Sequence, residues 1–244
     1  MAETLGSGVR AFAVCDGFGS VDGVRIEEAA LTQLHAALLA KSRNPRFAAQ
    51  LERPKVVTQL LVSLFSRLNT QLYLRSASHE DYVTCGASLT LILLARERAY
   101  LAHLGNTAAY LSRGGYMISL TKDDSYTFDV PVGRAVAVSA HPPILTRALG
   151  SAPHVELSVC SFRASAGDSI VLSNKRLAGF EDRRALSAWL LHGQTPMEFG
   201  DRTMAVIPVS PIDHADAHIP HLPALTVGQI VAGVVFALGI LLIS

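Results

Sequence analysis

Ala11-Phe12-Ala13-Val14-Cys15-Asp16-Gly17-Phe18-Gly19 is an apolar run that ends on an acid flanked by glycine. A short continuous apolar run bounded by turn residues reads as a buried strand, and the pattern predicts one over Val9–Cys15 ending at Asp16. The carboxylate is then either an ordinary turn residue or a charge delivered to the end of a sheet.

The neighbouring segments say which kind of domain this strand enters. Ile26–Lys41 has helical spacing, with Ile26, Ala30, Leu34 and Leu38 on one face. Pro54–Arg75 reads as a longer helix that opens on a proline and carries Val57, Leu61, Leu64, Leu68 and Leu72. Strands are expected at Ala87–Ala95, Arg98–His103, Ala108–Arg113 and Tyr116–Leu120, with Gly114-Gly115 marking a hairpin. Ser125–Pro143 reads as surface loop. Further strands are expected at Glu156–Phe162, Ser169–Leu172 and Thr203–Val209, with a helix at Asp182–His192. Two helices, a block of hairpins and then more strands indicate an α+β domain with sheets packed against helices.

Composition excludes some classes of function. Net charge is +1 without a basic block, so the chain lacks the electrostatic footprint of a nucleic-acid binder. Cys15, Cys85 and Cys160 are scattered through apolar runs and read as buried free thiols of a reducing compartment. From Leu225 to Ile243 no charge occurs, and at about 1.5 Å per residue this helix would span roughly 28 Å, close to a bilayer core. It is expected to be a single-pass, tail-anchoring transmembrane helix, with the N-terminal domain on the cytoplasmic side. Gly228 with Ala232, and Gly233 with Ala237, could let two such helices pack as a homodimer. The domain is expected to cover 1–209, a Pro/His-rich linker 210–224 and the anchor 225–243. In the linker His214, His218 and His221 accompany Asp213 and Asp216, but the surrounding prolines favour a solvated tether over a metal site.

Several segments, in order, resemble the metal-dependent protein phosphatase (PPM) family, the type 2C serine/threonine phosphatases. Ala11 to Gly19 resembles the family strand that ends in Asp-Gly-x-Gly. Cys85-Gly86-Ala87-Ser88-Leu89-Thr90 resembles its small-residue core strand, and Leu104-Gly105-Asn106-Thr107-Ala108-Ala109-Tyr110 its Gly-Asp-Ser-Arg-x-Tyr strand. Leu120-Thr121-Lys122-Asp123-Asp124-Ser125 resembles the Leu-Thr-x-Asp-His turn, and Leu145 to Gly150 and Ala166 to Ser173 resemble the run leading to Ser-Asp-Gly. The resemblance implies two antiparallel sheets packed as a β-sandwich flanked by helices.

It also implies a site of two manganese or magnesium ions, which demand carboxylate oxygens and activate a water for attack on a phosphoryl group. By resemblance Asp16 is the bridging acid and Gly17 contributes a backbone carbonyl. The remaining acids are depleted: Asn174 stands at the Ser-Asp-Gly aspartate and Asn106 at the Gly-Asp-Ser aspartate. The last acid falls on Gly200, or on Asp201 if the alignment moves by one residue. The N-terminal Arg-x-x-Asn-Glu-Asp segment has no counterpart ahead of Asp16. Lys175 and Arg176 follow Asn174; they would repel a dication, and could pair with Asp16 or hold a phosphate.

The expectation is therefore a membrane-held pseudophosphatase that binds no metal and acts in signalling as a regulatory or phospho-ligand binding module for a protein partner, with a phosphoprotein as the candidate. An active manganese- or magnesium-dependent enzyme is the alternative; it would recruit unmatched acids such as Asp123, Asp124 or Asp168. In a third reading another chain supplies the missing N-terminal strand.

Overall fold

The opening run forms the second strand of a five-stranded antiparallel sheet in the computed structural model, which describes residues 1–5, 9–21, 23–78, 85–126, 130–132, 135–137, 144–174 and 204–209. The strands are β1 (Ala2–Leu5), β2 (Val9–Phe18), β5 (Gly86–Ala95), β6 (Arg98–Leu104) and β13 (Ser158–Arg163), and they lie in the order β1-β2-β5-β6-β13. A four-stranded sheet is built from β7 (Ala108–Arg113), β8 (Tyr116–Ser119), β14 (Ser169–Ser173) and β15 (Met204–Pro208) in the order β15-β14-β7-β8. Short strands β3 (Ser20–Val21) and β4 (Val24–Arg25) form a hairpin at the exit of β2.

Register decides what each face buries, because residues directly opposite in an antiparallel pair point to the same side. Phe12 faces Ile92 and Ile92 faces Leu101, and these side chains meet Ala109, Leu111, Ile170, Leu172, Ala205 and Ile207 of the four-stranded sheet. The other face carries Ala11, Ala13, Cys15, Leu89, Leu91 and Leu93. It packs against helices α1 (Ile26–Ser42) and α3 (Pro54–Ala77), with the one-turn α2 (Phe47–Gln50) between them. Every residue assigned from spacing to the inner faces of α1 and α3 is buried. β2 and β5 bury side chains on both faces, which is why they read as continuous apolar runs. Each large side chain removed from water contributes about 1.5–3 kcal/mol.

The sandwich of antiparallel sheets with helices outside agrees with the α+β expectation, and several elements differ in detail. β2 does not end at Asp16: it continues to Phe18, because Asp16, Gly17 and Phe18 pair with Ser88, Ala87 and Gly86. Gly17 made Asp16 look like a turn residue, whereas both lie inside the ladder. The edge of β2 is covered by the chain's own β1, with Ala2 opposite Phe12 and Leu5 opposite Val9. Within the expected loop, β9 (Ser125–Tyr126), β10 (Val130–Val132) and β11 (Ala135–Ala137) form short ladders, β9 with β12 (Ile144–Leu145) and β10 with β11.

Cys15 and Cys85 are buried, but Cys160 is exposed. It sits on the edge strand β13 opposite Leu101, on the side where the smaller sheet leaves it uncovered. The Gly114-Gly115 hairpin is present between β7 and β8, with φ of 56° and 79° at its two glycines.

The expected helix at 182–192, the linker and the apolar segment 225–243 lie outside the described residues. Among those described, no helix is long and apolar enough to cross a membrane.

Candidate functional site

The inward rows of the two sheets are apolar through most of their length and turn polar at one end. On the five-stranded sheet Phe12 and Val14 lead to Asp16, and Ile92 leads to Thr90 and Ser88. On the four-stranded sheet Ala109 leads back to Thr107, while Leu172 leads to the buried Asn174. Thr90 and Thr107 join the sheets directly, with their hydroxyl oxygens 2.8 Å apart. Asp16 stands opposite Ser88 on the same face, so its half-buried carboxylate opens into this polar end.

Hydrogen bonds at this end run in one direction. His103 is buried and its Nε2 lies 2.8 Å from the carbonyl oxygen of Lys122, an acceptor, so the neutral ring carries its proton there. Nδ1 then accepts from the Thr90 hydroxyl at 2.9 Å, and Thr90 in turn accepts from Thr107. Burial pushes His103 below its ordinary range, against the opposing pull of the Lys122 carbonyl and Asp124. Arg147 acts in the same sense as burial, and Asp123 opposes it.

The β6–β7 turn that carries Asn106 is held from two sides. Gly105 has φ of 100°, and a side chain there would collide with Ser88, so both the backbone conformation and the close approach require glycine. Its N–H donates to Asp124 Oδ2 at 3.0 Å, and Asp124 Oδ1 accepts from Arg147 at 2.5 Å. Arg147 also donates to the Glu156 carbonyl and to Ser158. Asn106 donates its backbone N–H to Ser88 Oγ at 3.1 Å, and its side-chain oxygen accepts the Ser88 hydroxyl at 2.8 Å. One of the two acceptor positions of that amide oxygen is thus taken by the Ser88 hydroxyl.

At the Asp-Gly corner a further carboxylate appears that the motifs did not mark. Glu27, in the first turn of α1, is buried, and a Cβ on Gly17 would run into its Oε2. Its other oxygen forms an ion pair with the half-exposed Arg25. Burial raises the Cys15 thiol well above its ordinary range, and the charges of Glu27 and Asp16 add to the shift.

Among the described residues, then, Asp16, Gly17, Asn106 and Asn174 are brought to one end of the sandwich. Lys175, Arg176, Gly200 and Asp201 lie outside the described residues. Two of the alternative acids are committed elsewhere. Asp124 holds the Gly105 turn, and Asp168 sits at the opposite end of β14 in a bidentate pair with Arg113 at 2.7 and 2.8 Å. Ser88 and Thr90 were the legible signal for the polar end: two hydroxyls at period two in an otherwise apolar strand.

The family model for protein phosphatase 2C matches residues 4–127, just over half of the chain. The chain belongs to the protein phosphatase 2C (PPM) family. In sequence it is 29% identical to the serine/threonine protein phosphatase PstP of Mycobacterium tuberculosis over 184 residues, covering 72% of this chain and 33% of that protein. The chain therefore spans about a third of the length of the relative it matches. Solved structures of the same fold include the serine/threonine phosphatase of S. agalactiae, with a TM-score of 0.62 at 17% identity, covering 81% of this chain and 80% of that one. Stp1 of Staphylococcus aureus gives 0.59 at 16% identity, over 81% and 77% of the two chains. The M. tuberculosis PstP/Ppp structure gives 0.51 at 23% identity, over 75% of each.

PPM phosphatases depend on manganese or magnesium. The described donors of this chain do not fit a pair of such ions. No group of three or more His, Cys, Asp or Glu able to hold a metal occurs among the described residues. Beside Asp16 the inter-sheet end offers hydroxyls and amides, which cannot offset the mutual repulsion of two dications.

His103 gives a testable consequence. Because its folded pKa is depressed, the unfolded chain binds more protons below about pH 6.5. The stability contributed by the neutral ring is present above that pH and is lost as the pH falls towards the folded value, by at most about 1.4 kcal/mol per pH unit. Urea unfolding from pH 7.5 to 5.5 should show a steeper loss for the wild type than for His103→Gln. Parallel curves would contradict the assignment.

Proposed function

We propose that this chain is a PPM-type domain that has lost metal-dependent catalysis and serves as a regulatory or phospho-ligand binding module held at a membrane. The observation that carries the proposal is Asn106. It replaces an expected acid with a neutral amide, whose oxygen accepts the Ser88 hydroxyl. Asn174 removes a second negative charge from the same end. Loss of these charges leaves too little compensation for two dications, so the step that would activate water has no support. Family membership and fold do not by themselves grant activity, which depends on the site.

The module is proposed to comprise the folded domain through residue 209, a tether over 210–224 and a membrane-spanning helix over 225–243. The uncharged sequence from Leu225 to Ile243 supports the anchor. Lys175 and Arg176 are the proposed contacts for a phosphorylated partner, by charge-assisted hydrogen bonds.

Two measurements test these proposals. Anything that binds only the native state raises its stability by mass action. The chain in detergent should therefore unfold at the same temperature with and without 2 mM manganese, and Asp16→Ala should not alter the response. A rise with manganese that Asp16→Ala abolishes would restore the reading as an active phosphatase with a non-standard site. For the anchor, the expressed chain should sediment with membranes and resist carbonate extraction, while a chain ending at Pro223 should be released. Equal distribution of the two would remove the anchor.

A further inference from the structure

The end of the sandwich opposite Asp16 gathers arginines that the motifs do not mark. Three turns meet there: β5–β6 with Arg96, Glu97 and Arg98, β7–β8 with Arg113 and Tyr116, and the turn from Arg163 into β14. Arg113 donates to the Arg163 carbonyl at 2.8 Å, and the Ala164 N–H to the Glu97 carbonyl at 2.8 Å, which ties the three turns together. Arg10, near the start of β2, stands opposite Leu94 and joins the same end.

The acids here are already matched. Asp168 pairs with Arg113, Glu97 with Arg163 and Glu52 with Arg96. Among the described residues Arg10 and Arg98 form no ion pair. Arg98 is exposed and directly opposite Arg163, a like-charge placement that is unfavourable in a ladder. Arg10 lies 5.9 Å from the centroid of the Phe12 ring, and burial pulls it below the ordinary guanidinium range. Tyr116, opposite Arg113 at the tip of its hairpin, is 76% exposed. Excess positive charge beside an exposed aromatic is the composition of a membrane-interface contact.

The chain also leaves the domain at this end. The Val209 N–H donates to the Asp168 carbonyl at 2.9 Å, and the Gly167 N–H to the Val209 carbonyl at 3.3 Å. A flexible tether over 210–224 has a typical span of roughly 20–23 Å. No Lys or Arg follows Arg202, so the sequence flanking the apolar segment brings no cation to a lipid surface. The folded end, within reach of the tether, has the cations that the flank lacks.

We infer that the end formed by Arg10, Arg96, Arg98, Arg113 and Arg163 docks on an anionic lipid surface, the one in which the same chain is anchored. The inference rests on the anchor proposed for 225–243. Docking in this orientation turns the Asp16 end away from the bilayer. Along β5 the rise from Ala95 to Ser88, which faces Asp16, is roughly 23 Å. That exceeds the screening length of about 8–10 Å, so the lipid charges are not felt at the Asp16 end. The simpler role, in which the arginines only keep the surface solvated, predicts no dependence on lipid charge.

The test is quenching, by headgroup-quencher lipids, of a fluorophore on the full chain reconstituted in vesicles. With Cys160→Ser in the background, the label is carried by Ala166→Cys at the arginine end or by Ser20→Cys at the Asp16 end, both exposed positions. Cys15 and Cys85 are buried and stay unlabelled. Adding phosphatidylserine to phosphatidylcholine should increase quenching at Ala166→Cys and leave Ser20→Cys unchanged, and high salt should reverse the increase. Arg96→Gln and Arg98→Gln should each lower the docked-to-undocked ratio about fivefold, while Arg98→Lys should retain it. Equal quenching at Ala166→Cys in the two kinds of vesicle would overturn the inference. So would a lipid-dependent increase that survives Arg96→Gln and Arg98→Gln together, since other groups would then make the contact. Flotation of the same chains with phosphatidylcholine vesicles separates the two readings. A chain that floats without lipid-dependent quenching keeps its anchor and loses only the docking, whereas one that does not float removes both.

Discussion

Inter-sheet packing sets the position of every group at the candidate site. Ile92, Leu101, Leu111, Leu172 and Ile207 close the middle of the sandwich, and their burial fixes the register of the strands that carry them. A slip of one residue would turn these side chains outward and bring charged or helix-facing ones in. The register therefore also fixes Asp16 opposite Ser88 and joins Thr90 to Thr107 across the sheets. Apolar packing in the middle supplies the rigidity; polar residues at the end use it.

Hydrogen bonds then determine what that end can do. A carboxylate at position 106 would carry charge into the cleft, whereas the asparagine shares its oxygen with Ser88 and closes a local ring with the backbone of its own turn. Asp124 and Arg147 fasten that turn from outside, so an acid that could have been a ligand serves instead as a brace. The His103–Thr90–Thr107 chain satisfies the buried polar groups beneath, which would otherwise cost about 1–3 kcal/mol each. On the opposite, helix-covered face Glu27 packs over Gly17 and pairs with Arg25.

Much of the fold was legible because periodicity reports burial. The faces of α1 and α3 follow from their apolar spacing, and the β7–β8 hairpin from its paired glycines. Strand β1 was not legible: Ala2–Leu5 includes Glu3 and Thr4 and acquires its structure only by pairing with β2. Asp16 looked like a turn residue because glycine normally ends a strand, but the small partners Ala87 and Gly86 let the ladder continue. Cys160 lies in an apolar run and is exposed because edge position, unlike periodicity, depends on tertiary arrangement. The motifs located Asp16, Asn106 and Asn174, while Glu27 and Arg25 could not be found that way. Their placement depends on a chain reversal that brings α1 back over Gly17.

Loss of the paired-ion chemistry is the central claim, and turnover tests it most directly. The measurement is single-turnover hydrolysis of a phosphothreonine peptide by an excess of the full chain in millimolar manganese, compared with Asp16→Ala. Loss of catalysis predicts phosphate release at the uncatalysed rate for both proteins. Release by the wild type that Asp16→Ala abolishes would contradict it and identify a working phosphatase with an altered metal site.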